Sequence, residues 1–134
     1  MDQDLSLTEV IEANALFYAA LGAGDIGAME ALWSARADVS VYHPNWPGIF
    51  GREEVMSSWR TIMLIGEPPQ VGAEIHSIIR TPLTALVFCV EEIGACRMTA
   101  SNVFVREAGA WRLTSHHARS LPVAASGAVG IDED

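Results

Sequence analysis

The residues of this sequence whose types and spacing bear on chemistry are four histidines, two cysteines and an asparagine set in an apolar strand. His43 closes the segment Val39-Ser40-Val41-Tyr42-His43, where apolar and polar residues alternate, so it shares a face with the two valines. An imidazole with an ordinary pKa near 6.5 takes or gives a proton close to neutral pH, which suits general acid or base work at a pocket mouth. The competing reading is a structural histidine bonded to the backbone of the loop that follows. Asn102 lies between Ala100 and Phe104 on one strand face, where an amide must find a partner: a ligand, a backbone carbonyl or a water. His116 and His117 are adjacent on a strand and therefore point to opposite faces. If Trp111 and Leu113 face a partner subunit, His116 points inward; the opposite phase buries Trp111 in the core and turns His117 to the ligand.

Other chemistry finds little support. No histidine pair has ligand spacing, His76 reads as a solvent or interface residue, and Cys89 with Cys96 supplies only two of the four ligands a structural zinc requires. Neither a metal nor a cofactor is expected. The two cysteines flank a short turn and read as free thiols in a reducing compartment. Ser57-Ser58 has no nearby base, and neither a G-x-S-x-G motif nor a glycine-rich phosphate loop is present. Arg52 and Arg60 on a helix are explained by ion pairs with Glu53 or Glu54, whereas one of Arg97, Arg106, Arg112 and Arg119 is placed to reach an anionic ligand. Among the four tryptophans, Trp46 stands out, because a proline-flanked loop would hang it over a cavity opening.

The elements that position these groups follow from periodicity. Ser6 and Glu9 read as a capping box before a helix from about Leu7 to Leu21, which Gly22-Ala23-Gly24 ends. Asp25 caps a second helix with Met29, Leu32 and Trp33 on its apolar face. A strand over 39–43 leads to the Pro44–Gly48 loop, and a third helix spans roughly Arg52 to Met63. Four β-rich stretches follow, over 71–80, 85–91, 96–106 and 111–118, joined by turns short enough for hairpins. Helices first and then an antiparallel meander is the order of an α+β protein.

A chain of 134 residues, half of them apolar, buries one core, so a single domain over 1–122 with an acidic flexible tail over 123–134 is expected. No apolar run approaches the roughly 20 residues of a membrane helix. The acidic start lacks a signal peptide's pattern, so a cytoplasmic location is expected. A net charge of −9 repels a phosphate backbone and excludes nucleic acid as a partner.

This order of elements is similar to the nuclear transport factor 2-like superfamily, in its SnoaL-like and ketosteroid-isomerase-like branch. The resemblance covers about Leu7 to Ser120. It rests on Phe17–Asp25, Met29–Trp33, Val41-Tyr42-His43-Pro44 leading to Gly51-Arg52, Ala100–Arg106, and Gly109–Leu113 running into His116-His117-Ala118. It implies three N-terminal helices packed on a strongly curved, mostly antiparallel sheet, a cone-shaped barrel with one pocket, and a homodimer joined through the outer sheet face. In the isomerases a general-base aspartate lies near His43, with Val41 the alternative counterpart in register. Phe17 matches their oxyanion-donating tyrosine; a phenyl donates nothing, so Tyr18, one position and about 100° around the helix, or Trp46 would have to substitute. Asn102 matches their second donor, and the SnoaL-like pattern turns His116 inward. The resemblance thus implies His43, Asn102 and His116 as catalytic residues and Phe17, Tyr18, Trp33, Val41, Trp46, Trp59 and Phe104 as pocket walls. The function implied is binding of a small molecule, with isomerase, cyclase or dehydratase chemistry on a carbonyl compound. A non-catalytic binding or dimerisation module of the same fold is the alternative.

Overall fold

A computed structural model describes residues 6–121. Helices α1 (Thr8–Ala23) and α2 (Ile26–Leu32) precede strands β1 (Ser40–Tyr42) and β2 (Ile49–Phe50) and helix α3 (Arg52–Leu64). Strands β3 (Gly72–Arg80), β4 (Thr84–Ile93), β5 (Cys96–Glu107) and β6 (Ala110–Ser120) complete the chain. They form one six-stranded sheet in the order β2-β1-β6-β5-β4-β3. All neighbours are antiparallel except β1 and β6. The fold is α+β, with three helices against a curved sheet. The sheet is open rather than closed into a barrel, since β2 and β3 are its two edges.

Local sequence explains most boundaries. Gly24 ends α1 in the left-handed conformation (φ 65), and the Asp25 carboxylate accepts a 3.0 Å bond from the Ala28 backbone N–H to start α2. Gly51, at φ 95, turns the chain from β2 into α3 while its N–H bonds the Val39 carbonyl at 2.9 Å. Strand β2 is missing from the sequence expectation because two residues are too few to show an alternation.

The exposed carbonyls at the end of α2 account for two arginines. Arg52 donates to the carbonyls of Glu30, Trp33 and Ser34 at 2.7–3.0 Å, and Arg112 donates to that of Ala31 at 2.7 Å. Arg52 is therefore a cap for α2, not an ion-pair partner of its own helix. Arg60 likewise reaches α2, pairing with Glu30 at 3.0 Å.

The core lies between helices and sheet, around the fully buried Val10, Phe17, Met29, Val55, Phe104 and Leu113. Each such side chain contributes about 1.5–3 kcal/mol. A register shift between Val103 and Phe104 leaves Thr114 of β6 unpaired. Because that bulge flips the phase, Trp111, Leu113, His116 and Ala118 are all buried while His117 is exposed. The two alternatives framed from strict alternation were thus both incomplete: Trp111 faces the core and His116 faces inward as well. A second bulge sits at His76, whose side chain is half exposed on β3. Cys89 is buried opposite Ala100, whereas Cys96 is exposed opposite Ile93, and both are free. The acidic stretch 123–134 lies outside the described residues.

Candidate functional site

A cavity of about 320 Å³ opens between the C-terminal half of α3, the loop after β1, and the inner face of the sheet. His43, Trp46, Trp59, Glu91, Met98 and His116 are among its walls. His43 reaches it because the strand carrying Val39 and Val41 keeps its alternation through Tyr42. Its ring stands edge-on to Trp46 and Trp59, with centroids 4.8 and 4.6 Å away. His43 Nε2 lies 2.9 Å from Ser58 Oγ, and that hydroxyl donates its proton to the Val55 carbonyl at 2.7 Å. Nε2 must therefore carry the hydrogen, which leaves Nδ1 as a lone pair. No hydrogen bond among the described residues engages Nδ1. Burial lowers the His43 pKa to about 4, so the ring is neutral near pH 7.

The opposite wall is a buried polar network. Asn102, wholly buried, donates from its amide nitrogen to Asn14 Oδ1 at 2.8 Å and to the Tyr18 hydroxyl at 3.2 Å. Its amide oxygen accepts from His116 Nδ1 at 2.5 Å. The Tyr18 hydroxyl donates a hydrogen bond to Glu91 Oε2 at 2.6 Å, and His116 Nε2 stands 3.8 Å from the same oxygen. Asn14 completes the set by donating to Cys89 Sγ at 3.5 Å. These bonds fix the tautomer of His116, with hydrogen on Nδ1 and a lone pair on Nε2. Burial first, then the neighbouring His43 and His117, lower the His116 pKa to about 3. Burial raises the Glu91 pKa, opposed by the Tyr18 bond. Burial also raises the Tyr18 and Cys89 pKa values, and ionisation of Glu91 would raise each further.

Of the residues expected from sequence, His43, His116, Trp46 and Trp59 meet at this cavity. Asn102 and Tyr18 lie one layer behind and hold His116 and Glu91 in place. Phe17, Trp33, Val41 and Phe104 belong to the packed core beneath; Phe17 touches the rings of His116 and Trp59, and Trp33 lies 6.3 Å from Trp59. They fill space rather than border it. No arginine lines the cavity: Arg97 pairs with Glu92 at 3.4 Å, Arg106 pairs with Glu9 at 2.9 Å, and Arg112 bonds α2. Arg119 borders a second depression, of about 520 Å³, with Tyr42, Phe88, Ser101 and His117; it shares His43 and Trp46 with the first.

Glu91 and Asn14 escaped the sequence reading as site residues, and Ser58, read there as having no nearby base, lies 2.9 Å from His43 Nε2. Glu91 continues the buried alternation Ala85, Val87, Cys89 and ended the expected stretch 85–91, whereas the strand runs on to Ile93 and the turn begins at Gly94. Asn14 shares the helical stripe of Val10, Phe17, Tyr18 and Leu21, a signal available in the spacing.

Comparison with known proteins agrees with this fold. The family model of the SnoaL-like domain matches residues 10–124, and the chain belongs to that family. A solved structure from Streptomyces avermitilis, described as a candidate dehydratase of the nuclear transport factor 2-like family, is similar at 34% identity and a TM-score of 0.80. That match covers 87% of this chain and 96% of the other. A candidate calcium/calmodulin-dependent protein kinase type II association domain from Thiobacillus denitrificans shares 27% identity at a TM-score of 0.76, over 82% and 93% of the two chains. A ketosteroid isomerase-like protein from Erwinia carotovora atroseptica shares the fold, with 16% identity, a TM-score of 0.71, and coverage of 89% and 98%. Among curated proteins no match was found. No described helix is long and apolar enough to cross a membrane.

Proposed function

We propose that this protein binds a small carbonyl compound in the Trp46–Trp59 cavity and moves a proton on it, as an isomerase, cyclase or dehydratase does. The observation that carries the reading is the state of His43: buried, neutral, tethered through Nε2 to Ser58, and with Nδ1 unengaged beside a cavity. A lone pair held in this way takes a proton from a carbon next to a carbonyl. His116 lines the facing wall, and Asn102 orients it without touching the ligand. Trp46 and Trp59 supply the apolar faces. The similarity to a candidate dehydratase at 34% identity supports the same class of chemistry.

The remaining parts of the proposal are a cytoplasmic location and a homodimer joined through the outer sheet face, where Tyr42 and Phe50 are exposed. A non-catalytic binder is the alternative reading. Deuterium incorporation from heavy water into the methyl group of 2-acetylnaphthalene, followed by proton NMR, separates the two. The wild type should accelerate exchange over buffer, and H43A should lose about a hundredfold or more of that acceleration. Exchange at the buffer rate with bound ketone would leave only the binding function.

A further inference from the structure

The sequence contains no lysine, and none of its eight arginines lines the inner cavity. The side chains there that can carry charge are His43, Glu91, Cys96 and His116. Glu91 is buried at 4% exposure, with no cation against it. The groups that face it are the Tyr18 hydroxyl from α1, Cys89 on its own strand, and His116 from β6. Across the cavity stands His43, from the loop after β1.

Hydrogen counting along the network places the acid proton of Glu91. Asn102 directs its amide hydrogens to Asn14 and Tyr18, with Cys89 Sγ farther off at 4.0 Å, and Tyr18 donates its hydrogen bond to Glu91 Oε2 at 2.6 Å. His116 presents a lone pair, not a hydrogen, to that same oxygen 3.8 Å away. A carboxylate there would face an unprotonated nitrogen in a medium that solvates charge poorly. A neutral carboxyl meets no such conflict, with Oε2 accepting from Tyr18 and the hydrogen on Oε1. Oε1 has no hydrogen-bond partner among the described residues and belongs to a side chain on the cavity wall.

We propose that Glu91 is the acid of this site and that its ligand is an uncharged carbonyl compound, whose oxygen receives the Glu91 proton while His43 Nδ1 takes the α-hydrogen. This rests on the acid–base function proposed above and names its substrate class. In the step, the α C–H bond breaks and its electron pair forms a C=C bond. The carbonyl π pair moves to oxygen, which takes the Glu91 proton to give the enol. Reversal returns one proton to carbon from His43 and one to Glu91 from the enol hydroxyl, so no other reactant is consumed. An anionic ligand would find no countercharge in the cavity and would lose its hydration unrewarded.

Carbon-13 NMR of the labelled full chain, with the Glu91 carboxyl assigned through E91Q, reads the proton directly. Its shift should be that of a neutral acid at a pH well above the ordinary glutamate range, and an ionised shift there would overturn the proposal. Calorimetry adds the ligand arm: 2-acetylnaphthalene should bind at least about tenfold tighter than 2-naphthoate, a difference of roughly 1.4 kcal/mol, and equal or tighter binding of the carboxylate would also overturn it. E91Q should bind the ketone within about threefold of wild type yet exchange its methyl hydrogens at least tenfold more slowly. An unchanged exchange rate in E91Q removes Glu91 as the acid, whereas an unchanged rate in H43A would instead strike the parent reading.

Discussion

Tyr18 and Glu91 stand 73 positions apart, yet the phenol of one donates a 2.6 Å hydrogen bond to the carboxyl of the other, both side chains being buried. The bond ties α1 to β4 across the interior. It also ends a chain that starts at Asn14 and passes through Asn102, so that the inner wall of the cavity is a single hydrogen-bonded assembly rather than separate polar side chains.

Replacing Tyr18 by Phe tests that assembly. The variant leaves Glu91 Oε2 without its donor and one Asn102 hydrogen without an acceptor, at a cost of about 1–3 kcal/mol. Urea denaturation should show a lower midpoint with an unchanged slope. Because the Tyr18 bond lowers the Glu91 pKa, its loss should move the Glu91 titration upward.

Stability should fall with acid, with a sign set by opposing groups. His43 and His116 have folded pKa values of about 4 and 3, below the ordinary 6.5, so the unfolded chain binds more protons as the pH falls below 6.5. Each such proton removes up to about 1.4 kcal/mol per pH unit. The raised pKa of Glu91 acts the other way: its contribution is complete below the unfolded value and is lost as pH rises through the folded one. Two histidines outweigh one carboxyl, so the midpoint of urea unfolding should drop as pH falls from about 6.5 toward 4. In E91Q the drop should be steeper, and a parallel profile would contradict the neutral carboxyl.

Much of the fold was legible because period and punctuation agree along the chain. The α1 stripe, the Asp25 cap, the two-residue repeat before His43 and the three hairpins each follow from local residues. The inward facing of His43 and Asn102 in the candidate site was legible because strand phase is uninterrupted there. Facing was obscured on β6, where the bulge at Thr114 is a pairing decision made with β5. Glu91 was obscured for a different reason: a carboxyl becomes tolerable inside only when Tyr18 arrives from a distant helix, and one segment cannot announce its partner. Arg52 was misread in the same way, since the carbonyls it binds exist only once α2 has packed beside α3.

Ser58 is a positioning residue, since it touches His43 and not the cavity. S58A should slow ketone exchange about tenfold, the worth of one hydrogen bond of about 1.4 kcal/mol. Nitrogen-15 NMR should show the His43 hydrogen no longer confined to Nε2. S58T, which keeps a hydroxyl, should restore both, and a purely structural serine would leave the tautomer unmoved.

Two tryptophans should separate binding from folding. Trp46 is 40% exposed at the cavity rim, so W46A should weaken ketone binding with little change in melting temperature. Trp111 is buried, with the guanidinium groups of Arg80 and Arg106 over its ring at 4.9 and 5.3 Å. W111A should cost about 3–5 kcal/mol of stability. Light scattering should find its oligomeric state unchanged, because the ring faces the core.

The most direct single measurement is the rate of deuterium uptake into 2-acetylnaphthalene by wild type and H43A at matched ketone occupancy. Wild type should exceed the buffer rate by at least about a hundredfold, with H43A falling back toward buffer. Equal acceleration by both proteins would contradict a site organised around the His43 lone pair.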